Sequence, residues 1–298
     1  MKKISGLRIA SDISSVVLGL TFVLSGLIKV NDPHGTQYKI EDYFAALSLP
    51  SGNIWALALS VMLAVVELTL GASLLLRACK RVSAWAALMF MVVMTPLTLW
   101  LAIENPISDC GCFGDVVKLT NWQTFWKNIV LLAAAVVCFL TYRKASDGRR
   151  WLPALVAVVG LVLTMVSLKR LPFVDFLPYK MGTDVHAVDN FFADSDGEDM
   201  TMMLLDADDA VVMISPYLQT ADEDGLERCS EMLKQAQREG KTVCCLTASG
   251  SDDIERCRQR LSADYPFWFA DDVELKTMVR ANPGIVVMKK GVIVDKLK

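Results

Sequence analysis

Long stretches with few or no charges dominate the N-terminal half of this chain. Five such runs occur, and apolar residues fill them instead of recurring only along one face of a helix. About 20 residues of α-helix are needed to cross the hydrocarbon layer of a membrane. The pattern therefore predicts five transmembrane helices, at about residues 13–30, 54–76, 82–103, 122–142 and 151–168.

After Leu171 the pattern changes to short apolar runs that alternate with amphipathic segments, which is typical of an α/β domain. The predicted strands are Thr201–Leu205, Ala210–Ser215, Thr242–Thr247, Phe267–Ala270, Ile285–Met288 and Val292–Asp295. Three helices are predicted between them, the first of which runs to about Arg238. We therefore divide the chain into a membrane domain, residues 1–171, and a second domain, residues 172–298.

Composition and charge agree with this division. The mean hydropathy is +0.39 and 53% of the residues are apolar, so the lipid bilayer is the first expected partner. Residues 1–171 contain 16 Lys and Arg against 9 Asp and Glu, whereas residues 172–298 contain 14 against 24. The acidic balance of the second domain argues against nucleic-acid binding.

Basic residues are distributed unevenly among the segments that connect the predicted spans. Ten precede the first span or lie in the second and fourth connections, whereas Lys29, Lys39, Lys118 and Lys127 flank the other two. Short cytoplasmic segments accumulate Lys and Arg, which predicts a cytoplasmic N-terminus. The first span lacks a clear small-x-small cleavage site and is expected to be retained. In a bacterium the protein would lie in the inner membrane, with residues 172–298 in the periplasm.

Cys110 and Cys112 form a C-x-C pair in the connection after the third predicted span. A disulfide across one residue closes a small ring, and strained disulfides are the more easily exchanged ones. Gly111 and Gly114 give the backbone the freedom that such a ring needs. A nearby cation such as Lys118 could favour the reactive thiolate. The alternative is two free cysteines at a membrane boundary.

The remaining cysteines and histidines give weaker signals. Cys229 and Cys257 lie on apolar helix faces, and the neighbours Cys244 and Cys245 point to opposite faces of a predicted strand, so packing is the expected role. No metal site is predicted, because the chain has no C-x-x-C and its two histidines lack ligand spacing.

Three residues of the predicted spans are candidates for binding a quinone or a polar ligand. Glu67 lies near the middle of the second span, where a carboxylate is costly and often faces a cavity or a proton path. It could instead be protonated or bonded to a neighbouring helix. Lys29 ends the first span, where it could bind a headgroup or extend to the membrane surface. Trp122 could wall a quinone ring or belong to an interfacial aromatic belt with Trp126.

The end of the second domain resembles the second half of a thioredoxin fold. The resemblance rests on Asn282-Pro283-Gly284 before a strand, a Lys-Gly turn and another strand. It implies that Pro283 is the cis-proline that presents the backbone to an extended partner. The chain departs from the family where the catalytic C-x-x-C is expected, because residues 215–224 contain no cysteine, and it has no room for the usual final helix.

The membrane domain resembles the DoxX/MauE group of bacterial membrane proteins over roughly residues 10–145. The resemblance rests on Ser25-Gly-Leu-Ile-Lys29, the segment from Asp32 to Tyr43, Glu67-x-x-x-Gly71 and the Cys110–Asp115 loop. It implies a four-helix bundle associated with electron transfer, since some relatives are linked to quinone reduction and others to disulfide formation. The expected fold is therefore an α-helical membrane bundle, with a DoxX-like four-helix core and a fifth transmembrane helix, followed by an α/β thioredoxin-like domain.

Two functional hypotheses follow from these features. In the first, the protein is a membrane thiol–disulfide oxidoreductase whose Cys110 and Cys112 exchange electrons with a periplasmic partner and pass them to a quinone. In the second, the protein is a non-catalytic membrane scaffold whose thioredoxin-like domain binds a periplasmic partner, and the cysteine pair is a static link.

Overall fold

A computed structural model describes residues 2–49, 53–107, 109–188 and 191–298. The chain divides into two compact units, Met1–Lys169 and Arg170–Lys298. The first unit contains the helices α1 (Lys2–Asn31), α2 (Pro33–Ala46), α3 (Asn53–Leu75), α4 (Lys80–Glu104), α5 (Asn121–Tyr142) and α6 (Trp151–Lys169). The second unit contains the helices α7 (Thr201–Leu205), α8 (Glu223–Arg238), α9 (Ser251–Leu261) and α10 (Asp272–Met278). Its strands are β1 (Ala210–Ile214), β2 (Thr242–Thr247), β3 (Phe267–Phe269), β4 (Gly284–Lys289) and β5 (Val292–Leu297).

Five helices in the described part of the first unit are long and apolar enough to cross a membrane, namely α1, α3, α4, α5 and α6. This confirms the five apolar helices that the sequence predicts. α1 packs against α3 and α5, and α4 packs against α3 and α5, so that these four helices surround one core. Its centre is formed by buried side chains such as Leu18, Phe22, Met91 and Ala135. α6 lies outside this group, against α3 and α1.

α1 and α3 run antiparallel at very short distance because glycines line their contact. A Cβ atom on Gly71 would stand 2.5 Å from the Val23 nitrogen and 2.8 Å from the Gly19 oxygen. A Cβ atom on Gly26 would stand 2.5 Å from the Leu68 nitrogen. Small residues of this kind let helix backbones approach each other in membranes. The crossing brings the last turn of α1 next to the middle of α3.

The connection between the first two spans contains a helix that the sequence analysis did not predict. The Asp32 carboxylate accepts a hydrogen bond from the Gly35 nitrogen at 2.8 Å, and Pro33 occupies the first turn, so α2 begins with a regular N-cap. The Ser60 hydroxyl of α3 donates to the Pro33 carbonyl at 2.6 Å. α2 therefore packs along α3 rather than forming an extended loop.

The second unit is built on one five-stranded sheet with the order β3-β2-β1-β4-β5. β1, β2 and β3 are parallel, whereas β4 is antiparallel to both β1 and β5. Side chains alternate between two cores, so that Val212 and Cys244 lie in one and Val211 and Cys245 in the other. The opposite orientation of the two neighbouring cysteines is as predicted.

One of the six predicted strands is wrong, because Thr201–Leu205 forms the helix α7. Thr201, Leu204 and Leu205 are buried, while Met202 and Met203 are exposed. Burial at positions i, i+3 and i+4 is the spacing of a helix and not of a strand. A five-residue apolar run is too short for its periodicity to be read from sequence, whereas the other five predicted strands are present with small shifts at their ends.

Candidate functional site

Cys110 and Cys112 are joined by a disulfide in the connection between α4 and α5. Both residues are half-buried. The Asp109 carboxylate accepts a hydrogen bond from the Gly111 nitrogen at 2.8 Å, and the Gly114 nitrogen donates to the Gly111 carbonyl at 3.1 Å. Gly111 has a φ angle of +66° and Gly114 of +51°, which is the left-handed region that favours glycine. The loop is thus folded by its own short-range hydrogen bonds.

α2 holds the N-terminal part of this loop. The Tyr43 hydroxyl donates to the Cys110 carbonyl at 3.1 Å, and the Lys39 ammonium pairs with the Asp109 carboxylate at 3.0 Å. Burial, together with the negative charge of Asp109, raises the pKa of Tyr43. Tyr43 therefore stays a neutral donor throughout the physiological pH range.

Lys29 at the end of α1 contacts the other cysteine of the loop, Cys112. Its ammonium group donates to the Ser25 hydroxyl at 2.7 Å, to the Glu67 carboxylate at 2.8 Å and to the Cys112 carbonyl at 3.0 Å. The Ser25 hydroxyl in turn donates to the same carbonyl at 2.6 Å. An ammonium group has three hydrogens to donate, so these three acceptors use all of them.

Lys29 and Glu67 form a buried ion pair, since the exposed fractions of their side chains are 6% and 5%. The alternative in which Lys29 extends to the membrane surface is therefore excluded by its position. Glu67 accepts a hydrogen bond from Lys29 on the neighbouring helix α1. A bond to a neighbouring helix is one of the alternatives given above for this residue. Each charge offsets the cost of burying the other.

The three residues that we predicted to line a quinone or polar-ligand mouth do not share one arrangement. The Lys29 ammonium has no donor left for a ligand, because Ser25, Glu67 and the Cys112 carbonyl accept all three hydrogens. Trp122 is 51% exposed and packs edge to face against Phe125, with 6.1 Å between the ring centroids. Quinone binding by these residues stays a prediction, and Lys29 as it stands does not fit the role.

In the second unit, Pro283 lies beside the segment where the thioredoxin resemblance expects cysteines. The Asn282–Pro283 peptide bond is cis. The Ser215 hydroxyl donates to the Asn282 side-chain oxygen at 2.7 Å, and the Asn282 amide donates to the Tyr217 carbonyl at 2.9 Å. Ser215 and Tyr217 thus occupy the place beside the proline, and neither has a thiol for thiol–disulfide exchange.

All eight cysteines of the chain lie in the described ranges, and six of them are free and buried. Burial raises the pKa of the Cys229 thiol to about 11, and it raises those of Cys244 and Cys245 further. Buried thiols of this kind are poor nucleophiles, as the packing interpretation expects. Cys110 and Cys112 are therefore the two cysteines that a partner could reach.

From the sequence, Ser25 and Tyr43 stand out only as members of a family motif, and Lys39 and Asp109 have no predicted role in the site. Ser25, Lys39 and Tyr43 are far from the two cysteines in the chain, whereas Asp109 is next to Cys110. The contacts of the distant residues are therefore visible only once the packing of the helices is known. The one available signal was the concentration of polar side chains between Ser25 and Tyr43, next to an apolar span.

Residues 7–141 match the family described as methylamine utilisation protein MauE. No curated protein matches the chain. The matched region runs from α1 to the end of α5 and includes Lys29, Glu67, Cys110 and Cys112. The bundle that carries the cysteine loop is therefore similar to MauE-family membrane proteins, and this similarity does not extend to α6 or to the second unit.

Proposed function

We propose that this multi-pass membrane protein is a thiol–disulfide redox protein in which Cys110 and Cys112 exchange electrons with a partner thiol. One observation carries the proposal. Among eight cysteines, the only two that are not buried are joined to each other, in a loop that side chains of α1 and α2 hold in place. The similarity to the MauE family is consistent with a redox or accessory role in the membrane.

The exchange would follow the usual route of thiol–disulfide chemistry. A partner thiolate attacks one sulfur of the Cys110–Cys112 disulfide, which breaks the S–S bond and forms a mixed disulfide. A second partner thiol then displaces it, so that the partner becomes a disulfide and Cys110 and Cys112 become thiols. Two electrons and two protons pass from the partner to the loop. Reoxidation of Cys110 and Cys112 requires an electron acceptor. This acceptor is either a membrane quinone or a second protein that carries a disulfide.

We place the protein in the bacterial inner membrane, with its N-terminus in the cytoplasm and the cysteine loop and second unit in the periplasm. The uneven distribution of Lys and Arg supports this orientation. The periplasm also permits disulfides to persist, whereas the cytoplasm keeps thiols reduced.

For the second unit we propose a thioredoxin-like domain that docks a periplasmic protein near Pro283. Three parallel strands followed by an antiparallel pair, and the position of Pro283 beside Ser215 and Tyr217, support this proposal. The absence of a cysteine between Ser215 and Asp224 favours the alternative function, a scaffold whose second unit binds a partner without redox chemistry.

The test is to trap thiols in intact membranes with a mass-shifting alkylating reagent, after unfolding the chain in the reagent. The oxidised protein should take up six adducts and the reduced protein eight. If the protein is a redox protein, the fraction with eight should rise when a reducing partner accumulates. It should also follow the state of the quinone pool if a quinone is the acceptor.

The matched variants are Cys112→Ser and Cys138→Ser, which remove one loop thiol and one buried thiol of the same unit. Cys112→Ser should abolish exchange and leave assembly intact, and its Cys110 thiolate should open the disulfide of an oxidised partner and stay joined to it as a mixed disulfide, whereas Cys138→Ser should keep exchange. A wild-type protein that always takes up six adducts, under every condition, would reject the redox function and support the scaffold.

A further inference from the structure

We infer that Lys29 and Glu67 are positioning residues for the cysteine loop, and that the balance of their charges sets how readily the Cys110–Cys112 disulfide is reduced. This inference rests on the proposed function. The cation that acts on the cysteine loop is then the buried Lys29, and not the exposed Lys118 that the sequence predicts.

The first step is the direct contact between the pair and the loop. The Lys29 ammonium lies 3.0 Å from the Cys112 carbonyl oxygen, which belongs to the same residue as one sulfur of the disulfide. Among the described residues, Glu67 is linked to the loop through Lys29, with which it forms an ion pair at 2.8 Å. The positive member of the pair is therefore the one that contacts the cysteine.

The second step is burial. Lys29 is 5% exposed and Glu67 is 4% exposed, so water and salt screen their charges much less than charges at the surface. Lys118 is different, because its side chain is 66% exposed and its ammonium lies 3.9 Å from the Asp115 carboxylate. Its effect on the loop should be largely screened.

The third step is the sign of the effect. Reduction of the disulfide creates thiols that ionise to thiolates, and a nearby positive charge stabilises a thiolate. A disulfide whose reduced form is stabilised is reduced more readily. Lys29 should therefore favour reduction and Glu67 should oppose it, because it neutralises Lys29.

Other charged or titratable groups surround the loop on every element that packs against it. They are Lys39 and Tyr43 on α2, Lys127 on α5, which lies 4.5 Å from the Phe113 ring centroid, and Asp109, Asp115 and Lys118 on the loop itself. The residues themselves are unchanged in all variants of Lys29 and Glu67, but the charge of Lys127 interacts with both members of the pair. Differences among those variants therefore report on the pair together with the response of Lys127.

The experiment is an equilibrium titration of the full-length protein in detergent with reduced and oxidised glutathione. In this reaction the Cys110–Cys112 disulfide and two glutathione thiols give two cysteine thiols and one glutathione disulfide. Lys29→Met should lower the equilibrium constant for reduction roughly tenfold, and Glu67→Gln should raise it by a similar factor. The neutral pair Lys29→Met with Glu67→Gln should return it towards the wild-type value.

The control is Lys118→Met, the same substitution at an exposed lysine of the loop, which should change the constant less than about twofold. Lys29→Arg keeps the charge and should stay within about threefold of the wild type. If Lys29→Met and Glu67→Gln shift the constant in the same direction, or not at all, the pair has only a structural role and the inference is wrong.

A variant with one unpaired buried charge could fail to fold. Lys29→Arg and the neutral pair leave no buried charge without a partner, so they test the inference even if the single neutral variants do not fold. The inference is wrong if Lys29→Arg shifts the constant as far as a neutral residue would, or if the folded neutral pair falls tenfold below the wild type. Failure of the proposed function looks different, since then the wild-type disulfide would titrate with glutathione yet never change state in membranes.

Discussion

Lys29 is a residue whose environment depends on three separate segments of the chain. Its ammonium binds Ser25 on its own helix, Glu67 on α3 and the Cys112 carbonyl in the loop. Loss of one member of a buried ion pair typically costs about 3–5 kcal/mol, because the other charge is left without a partner. The same contacts that position the loop therefore also stabilise the bundle.

Tyr43 provides a test of how firmly the loop is held. Tyr43→Phe removes the hydrogen bond to the Cys110 carbonyl and should lower the free energy of unfolding by about 1 kcal/mol. With that support lost, the Cys110–Cys112 disulfide should react faster with a small thiol such as dithiothreitol. The rate is measured by trapping thiols at successive times.

The control for Tyr43→Phe is Tyr265→Phe in the second unit. Tyr265 is buried, whereas Tyr43 is half-buried, and the Tyr265 hydroxyl donates to the Ser230 hydroxyl at 3.0 Å, so the chemical change is the same but lies in the other unit. This variant should lose similar stability without any change in the rate at the loop. Equal rates in Tyr43→Phe and the wild type would show that the Tyr43 contact does not restrain the loop.

At this scale the sequence predicts the candidate residues better than their contacts. The C-x-C pair, Lys29 and Glu67 stand out because charges and closely spaced cysteines are rare next to membrane spans. Their arrangement cannot be read from sequence, since Lys29 and Glu67 are 38 residues apart and meet only through the crossing of α1 and α3. The sequence places Lys29 at the end of one span and Glu67 in the middle of another. These two positions, taken separately, do not indicate that the side chains form an ion pair.

Among the helices, the contact between α1 and α3 decides whether the ion pair forms. Gly71→Ala would place a methyl group 2.5 Å from the Val23 nitrogen and 2.8 Å from the Gly19 oxygen, which are backbone atoms that cannot rotate away. The helices must then separate, and overpacking of this kind typically costs about 1–3 kcal/mol. We expect a lower melting temperature in detergent and weaker docking of the cysteine loop.

The matched control for this variant is Gly160→Ala on α6. The added methyl group would meet only the end of the Leu68 side chain, at 3.1 Å, and that side chain can move. Gly160→Ala should therefore melt close to the wild-type temperature. If Gly71→Ala melts there as well, close backbone contact between α1 and α3 is not what holds the bundle together.

The sequence predicts some helices and strands more clearly than others. The five helices that are long and apolar enough to cross a membrane have strong apolar signals, and the sequence predicts them with small shifts at their ends, except that α1 begins at Lys2 and not near residue 13. α2 was missed because its apolar face is narrow, although Asp32 followed by Pro33 is a readable helix start. The sequence predicts a strand in place of α7, because five residues do not establish a period.

For the molecule as a whole, the proposed orientation predicts which cysteines a membrane-impermeant maleimide can reach. Glu227 is exposed on α8 of the second unit, and Lys144 is exposed in the connection between α5 and α6. In intact spheroplasts Glu227→Cys should be labelled, whereas Lys144→Cys should be labelled only after the membrane is opened. The wild type, whose six free thiols are buried, is the background.

Labelling of Lys144→Cys alone in intact spheroplasts would mean the opposite orientation. The cysteine loop would then face a reducing compartment, where a stable disulfide is not expected. Labelling of both positions in spheroplasts would point to leaking membranes, which a cytoplasmic marker protein detects.

The two-part organisation of the chain is visible in the sequence, since hydropathy and charge both change near Leu171. The order of the strands is not, because parallel neighbours such as β1 and β2 are separated by a whole helix and their pairing is non-local. The place of Pro283 beside Ser215 likewise depends on that pairing.

The ion pair below the cysteine loop also has a consequence for the order of synthesis. Glu67 is made 38 residues after Lys29, and Cys112 is made 83 residues after it. At about 5–20 residues per second, Lys29 exists for roughly 2–8 seconds before its counter-charge has been added to the chain. The first membrane helix is thus made with a charge that only a later helix can neutralise, so α1 and α3 are best suited to enter the lipid together, as a hairpin.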